Sequence, residues 1–199
     1  GDTTQVDFSG IYNADVVRGT GSLPGDFDGG GGILVSSSVA QNNGNSGTDG
    51  VPDDGVFAAT NTHPRIDLAD FDTVDSNAWQ APGTGSVTSS VENGEYSNVH
   101  VIASAGGAGV GSPARVEVTF QYQDGTTETS QEFTVPDWCG TPPSDPGYAL
   151  RDGMDRWFGG AYEDANAPGI FGYAIPADST KTLTDVTIDV TENQAGSFN

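Results

Sequence analysis

Lysine is nearly missing from this chain: Lys181 is the only one, and with five arginines it sets six cations against 21 Asp and 7 Glu. The net charge of −22 therefore reflects scarce cations as much as abundant acids. Nucleic acid is excluded as a partner, because counterion release at phosphates needs clustered Lys and Arg, and five scattered arginines form no such stripe. Anionic membrane surfaces are excluded on the same ground. No apolar run approaches the roughly 20 residues that cross a bilayer as a helix, so no membrane insertion is expected. No charged-then-apolar leader begins at Gly1, so a secreted chain is expected to be mature. The single cysteine, Cys139, excludes an internal disulfide and any CxxC metal or redox motif. Zinc lacks ligands as well, since the other soft donors are His63 and His100 alone.

Catalytic signatures are missing too. There is no G-x-S-x-G elbow, no H-E-x-x-H, no phosphate loop with lysine and no dinucleotide fingerprint. A carboxylate pair for glycoside cleavage needs only two acids at the right separation, and a chain with 28 acids offers many such pairs, so their presence carries no information. The chain is expected not to be an enzyme.

What is present is strand pattern. Leu, Ile, Val and Phe make up only 39 of 199 residues, a low share that would suit a disordered chain, yet they alternate where they occur. From Arg115 to Tyr122, Val116, Val118, Phe120 and Tyr122 alternate with Glu117, Thr119 and Gln121, the period of a half-buried strand. Asp124-Gly125 then predicts a two-residue hairpin turn into a second strand over Thr126 to Val135. Thr182 to Thr191 repeats the pattern, with Val186, Ile188 and Val190 opposite Asp185, Thr187 and Asp189. Further strands are expected at Thr3 to Gly10, Gly32 to Val39, Ser86 to Val91, Asn98 to Ser104 and Ile170 to Ile175. Helix is limited to a turn or two at Asp152 to Phe158 and Tyr162 to Asn166. Many short strands, Pro and Gly punctuation and no alternating helices predict an all-β fold, an antiparallel β-sandwich of jelly-roll type with long acidic loops, in one domain over residues 1–199. The loops Gln41 to Asp54 and Trp138 to Gly147 are long for such a domain.

Binding chemistry centres on acids and aromatics. Calcium takes six to eight oxygens, and the acidic, Gly-rich loops around Asp26 and Asp28, Asp152 and Asp155, and Glu163 and Asp164 are candidate ligands for a structural ion. None fits a helical calcium loop: counting from Asp26, the twelfth position is Ser37, where a bidentate Glu is required. The simpler reading is that Asp28 caps a Gly-rich turn and that Asp152 and Asp164 begin short helical turns. Trp157 and Tyr162 in a Gly-rich stretch, and Trp79 after Asn77, are candidate stacking surfaces for a polysaccharide or surface glycan. Trp138 is expected in the core.

Several stretches form an ordered series: Asp26-Phe-Asp-Gly-Gly-Gly, Asp54-Gly-Val-Phe-Ala-Ala with Thr62-His-Pro, Tyr96-Ser-Asn-Val-His-Val, Val118-Thr-Phe-Gln-Tyr-Gln-Asp-Gly-Thr-Thr with Val135-Pro-Asp-Trp, and Ile170-Phe-Gly-Tyr with Thr180-Lys-Thr-Leu. From Val6 onward this series resembles a family of secreted β-sandwich modules, similar to galactose-binding-like jelly rolls, found in large surface proteins and beside extracellular glycoside hydrolases of bacteria and archaea. The resemblance implies an extracellular or cell-surface accessory module without catalytic residues, and the Asp-rich, Lys-poor composition suits a salt-rich, halophilic setting. Two functions follow as expectations: a calcium-stabilised module for glycan binding or surface attachment, or a structural subunit of an extracellular filament or sheath. The second arises because the sequence stops at Gly196-Ser-Phe-Asn199, in what reads as the start of a strand. A vacant sheet edge there would make a homo-oligomer or polymer by exchange of the Thr3 to Gly10 strand, unless the sequence is a cut piece.

Overall fold

The computed structural model describes residues 3–6, 9–21, 25–68, 71, 76–107, 113–144, 146–193 and 196–198. Among them the chain is mostly β-strand in several largely antiparallel sheets, with one α-helix of six residues. In chain order the elements are β1 (Val17–Arg18), β2 (Gly32–Val35), α1 (Ser37–Asn42), β3 (Val56–Phe57), β4 (Ile66–Asp67), β5 (Gly85–Gly94), β6 (Asn98–Ala103), β7 (Ala105–Gly107), β8 (Ala114–Tyr122), β9 (Thr127–Thr129), β10 (Phe133–Val135), β11 (Gly147–Arg151), β12 (Arg156–Phe158), β13 (Ala161–Glu163), β14 (Ile170–Pro176), β15 (Leu183–Asn193) and β16 (Gly196–Phe198).

The largest sheet runs β10-β8-β15-β5, with β9 sharing with β10 the edge of β8 that β15 leaves free. A second sheet runs β11-β14-β6. Alternation along β8 buries Val116, Val118, Phe120 and Tyr122, and they join Val186 and Val190 of β15, Val101 and Ala103 of β6, and Phe171, Tyr173 and Ile175 of β14 in one apolar cluster. The two sheets therefore share a core, which is the main source of stability available to so polar a chain. On the outer face of the largest sheet the register aligns Thr129, Thr119, Thr187 and Thr88 across four strands. Their hydroxyls bond in pairs, Thr119 with Thr129 at 2.9 Å and Thr88 with Thr187 at 2.7 Å.

A mixed sheet, β1-β2-β12-β13, covers a second cluster in which Trp138, 2% exposed, stacks on Phe27 with ring centroids 4.6 Å apart. Pairs β3–β4 and β7–β16 complete the set, so the C-terminal stretch Gly196–Phe198 is itself paired, with Ala105–Gly107.

Several local expectations need correction. Thr3–Val6 belong to no strand and Ser9–Ile11 form a 3-10 turn, while Asp7 and Phe8 lie outside the described residues. The strand expected over Gly32 to Val39 ends at Val35, because the Ser36 hydroxyl accepts from the Val39 N–H and caps α1. Asp152 to Phe158 and Tyr162 to Asn166 hold no helix; β12 and β13 form a hairpin instead, turning on Gly159 and Gly160 with φ of 58° and 86°. Two consecutive positive φ values define a primed turn, which a Gly-Gly pair adopts without steric cost. At Asp124-Gly125 only Gly125 has positive φ, 84°, and its N–H donates to the Tyr122 carbonyl. The connection is thus a type I turn with a glycine bulge rather than a two-residue turn, and the strand beyond it splits into β9 and β10.

Candidate functional site

A cavity of about 830 Å3 runs beside β6. Every residue from Gly94 to Ser104 lines it, residues of both faces of β6 alike, so the cavity follows the edge of that strand rather than one of its faces. Antiparallel pairing alternates residues that bond the partner strand with residues that turn away. The Ala177 N–H donates to the Ser97 carbonyl at 3.1 Å, and this sets the phase. It leaves Asn98, His100 and Ile102 with their N–H and C=O groups directed away from β14, toward the side where β6 has no neighbouring strand among the described residues. Val87 and Val91 of β5 and Val186 and Ile188 of β15 supply apolar lining, and Trp79 and Thr3–Val6 line the cavity as well. Among the described residues lining the cavity, Asp67 and Glu95 are the only charged ones. On a chain of net charge −22 this is a nearly neutral strip.

The outer face of β6 is tied down by a tyrosine. Tyr148 of β11 lies across Gly172 of β14, where a Cβ would meet its ring at 2.2 Å, and its hydroxyl bonds His100 Nδ1 at 2.9 Å. His63 stacks on the same ring, with centroids 5.3 Å apart, and its Nδ1 bonds the Pro64 carbonyl at 2.7 Å. Both histidines of the chain thus meet one tyrosine. Burial, and then the proximity of His63, lower the His100 pKa below its usual value, while burial pushes the Tyr148 hydroxyl up to about 12. The unfolded chain therefore binds a proton at His100 before the folded one does, so this stability is complete above pH ~6.5 and is lost as pH falls through the folded value, at about 1.4 kcal/mol per unit of difference. Thermal melts from pH 7.5 to 5 are expected to show this loss, and His100→Gln is expected to flatten it; equal slopes in the two proteins would refute the assignment.

The residues expected from sequence are dispersed. Of the three aromatics, Trp79 lines the cavity and Trp157 and Tyr162 do not. Trp157 and Tyr162 are cross-strand partners in the β12–β13 hairpin, packed on Val35, Val39 and Ala40, and the Arg18 guanidinium lies 3.9 Å from the Trp157 ring centre. Asp26 Oδ1 accepts from the N–H groups of Asp28, Gly29 and Gly31, and Asp28 Oδ1 from those of Gly30 and Gly32, so these acids organise their own Gly-rich turn. Asp152 is exposed, whereas Asp155 is fully buried and accepts from the Tyr162 hydroxyl, from Asn45 Nδ2 at 2.8 Å and from the Ala165 and Asn166 N–H groups. Glu163 pairs with Arg156 at 2.5 Å and Asp164 accepts from Asn166. Among the described residues no three His, Cys, Asp or Glu side chains converge on one point. Asp28 does approach a second acid, Asp137, whose pKa is raised by burial and, further, by the Asp28 charge. Beside them the Cys139 thiol is pushed up to about 11 by burial, with Arg156 Nη1 3.8 Å from its sulfur.

Sequence reasoning missed Asp137, Tyr148 and the open edge of β6. Only the last had a signal, the placement of Asn98 to Ser104 between turn-forming stretches, and that signal does not say which edge stays bare.

No model of a known protein family matches the sequence, and no curated protein matches it.

Proposed function

We propose that the chain is a non-catalytic extracellular structural module, an antiparallel β-sandwich of jelly-roll type, that assembles by taking a partner's extended strand along β6. The observation carrying this reading is the coincidence of a strand edge that has no partner among the described residues with a nearly neutral, largely apolar groove. A jelly roll sets about eight strands in two sheets. The five-stranded sheet of β5, β8, β9, β10 and β15 and the three-stranded sheet β11-β14-β6 support that reading, and among the described residues β6 stands at the edge of the smaller sheet. An added strand would satisfy the outward groups of Asn98, His100 and Ile102 while its alternate side chains fill the groove, the physics of β-augmentation. Ile102→Pro and Asn98→Pro each delete one outward N–H and leave the ladder to β14 intact. Sedimentation velocity in 1 M NaCl is expected to show association of the wild-type chain and its loss in both variants; association unchanged in folded variants would reject the reading.

A second reading, glycan attachment, is supported by Trp79 on the groove wall. It expects sugar binding on a glycan array in calcium that Trp79→Ala removes, and a blank array would end it. Calcium belongs to both readings as a stabiliser, supported by the charge of −22 and by the approach of Asp28 to Asp137.

A further inference from the structure

The groove already touches one segment of the chain that has the chemistry to fill it. Thr3–Val6 lie against its bank, held there by side-chain bonds: Gln5 Nε2 donates to the Arg65 carbonyl at 3.1 Å and Gln5 Oε1 accepts from the Asp67 N–H at 3.5 Å. These four residues carry no charge, and Thr4 and Val6 alternate with Thr3 and Gln5, so an extended conformation would present one face to the apolar wall and the other to water. They belong to no strand, and among the described residues β6 has no strand at its outer edge.

We infer that the occupant of the β6 edge is the N-terminal segment carrying Thr3–Val6 from a second copy of this chain. This deepens the strand-assembly reading and rests on it. The choice of occupant follows from charge and from fit. A strand entering the groove meets Asp67 and Glu95 there; Thr3–Val6 bring no ionisable side chain of their own, and the acids Asp2 and Asp7 stand at either end of the tetrapeptide, where salt must screen them. Seated against its own groove the segment spends one glutamine side chain on Arg65 and Asp67; moved to a neighbour's β6 edge it gains backbone bonds at Asn98, His100 and Ile102. Exchange of an identical element between copies adds contacts without a new surface. The same charge that selects the segment opposes the meeting of two copies at −22 each, so the exchange requires salt that shortens the range of repulsion.

The test uses the full chain, a variant lacking residues 1–8, a full-length Val6→Asp variant, and a fluorescent peptide of residues 1–10. Circular dichroism first confirms folding of each. In 1 M NaCl the wild type is expected to associate and both N-terminal variants to sediment as monomers. The peptide is expected to bind the truncated chain, and to bind about tenfold more weakly when that chain carries Ile102→Pro, the weight of about one backbone hydrogen bond. A wild type that stays monomeric, or a truncated chain that still associates, overturns the inference. If the truncated chain still associates and Ile102→Pro stops it, the groove reading survives with another occupant; if Ile102→Pro leaves association untouched, both fall.

Discussion

Asp155→Ala is expected to cost about 2–4 kcal/mol of folding stability, read as a lowered urea midpoint. Asp155 is 0% exposed, and its carboxylate gathers the Tyr162 hydroxyl, the Asn45 amide and two backbone N–H groups of the loop after β13. Removing the acceptor strands these donors; each buried one costs about 1–3 kcal/mol, and those nearest the surface recover water. Burial alone would raise the Asp155 pKa, but the hydrogen bonds from Tyr162, Asn45, Asn166 and Ala165 outweigh it, so the carboxyl titrates below its usual value. Its contribution is therefore complete above pH ~4 and is lost as pH falls through the folded value. Asp155→Asn keeps the shape but offers one acceptor oxygen, and is expected to fall between wild type and alanine with a shallower acid limb. An alanine variant within about 0.5 kcal/mol of wild type would show that the cluster is not a tie.

The second large effect is ionic. Two like charges about 20 Å apart in water repel by about 0.2 kcal/mol, and 22 uncompensated charges form about two hundred such pairs. Even a quarter of that total matches the whole stability of a typical domain, about 5–15 kcal/mol. At 10 mM salt the Debye length is about 30 Å and little of the repulsion is screened; at 1 M it is about 3 Å and nearly all is. The chain is expected to unfold or expand in 10 mM NaCl and to melt cooperatively in 1 M NaCl. Calcium at matched ionic strength separates screening from a bound ion: a site that includes Asp28 and Asp137 raises Tm beyond sodium, chelator reverses the gain, and Asp137→Asn abolishes it. A melting curve indifferent to salt would contradict the electrostatic account, and one indifferent to chelator would remove calcium.

The strands of the shared core were legible because a strand buried on one face must alternate, as β8 and β15 do within the sequence itself, while β14 reads as a short apolar run buried on both faces, bounded by turn residues. The β12–β13 hairpin was not, because Asp152 and Asp164 resemble helix caps; Gly159-Gly160 between aromatic residues was the better signal. The expected site residues were chosen for what single side chains can do, whereas their partners are set by distant contacts. Asp155 meets Asn45 across 110 positions and His100 meets Tyr148 across 48. An open strand edge is harder still to read, since it is defined by where the neighbouring strands end.

The threonine row across β9, β8, β15 and β5 has a consequence for how the molecule comes apart. Its hydroxyl pairs carry no charge, so dilution that sets the acids against one another leaves them untouched. Loss of order in fresh water should begin at hairpin tips and chain ends and reach this seam last, with the amides of Thr119 and Thr187 the slowest to exchange for deuterium.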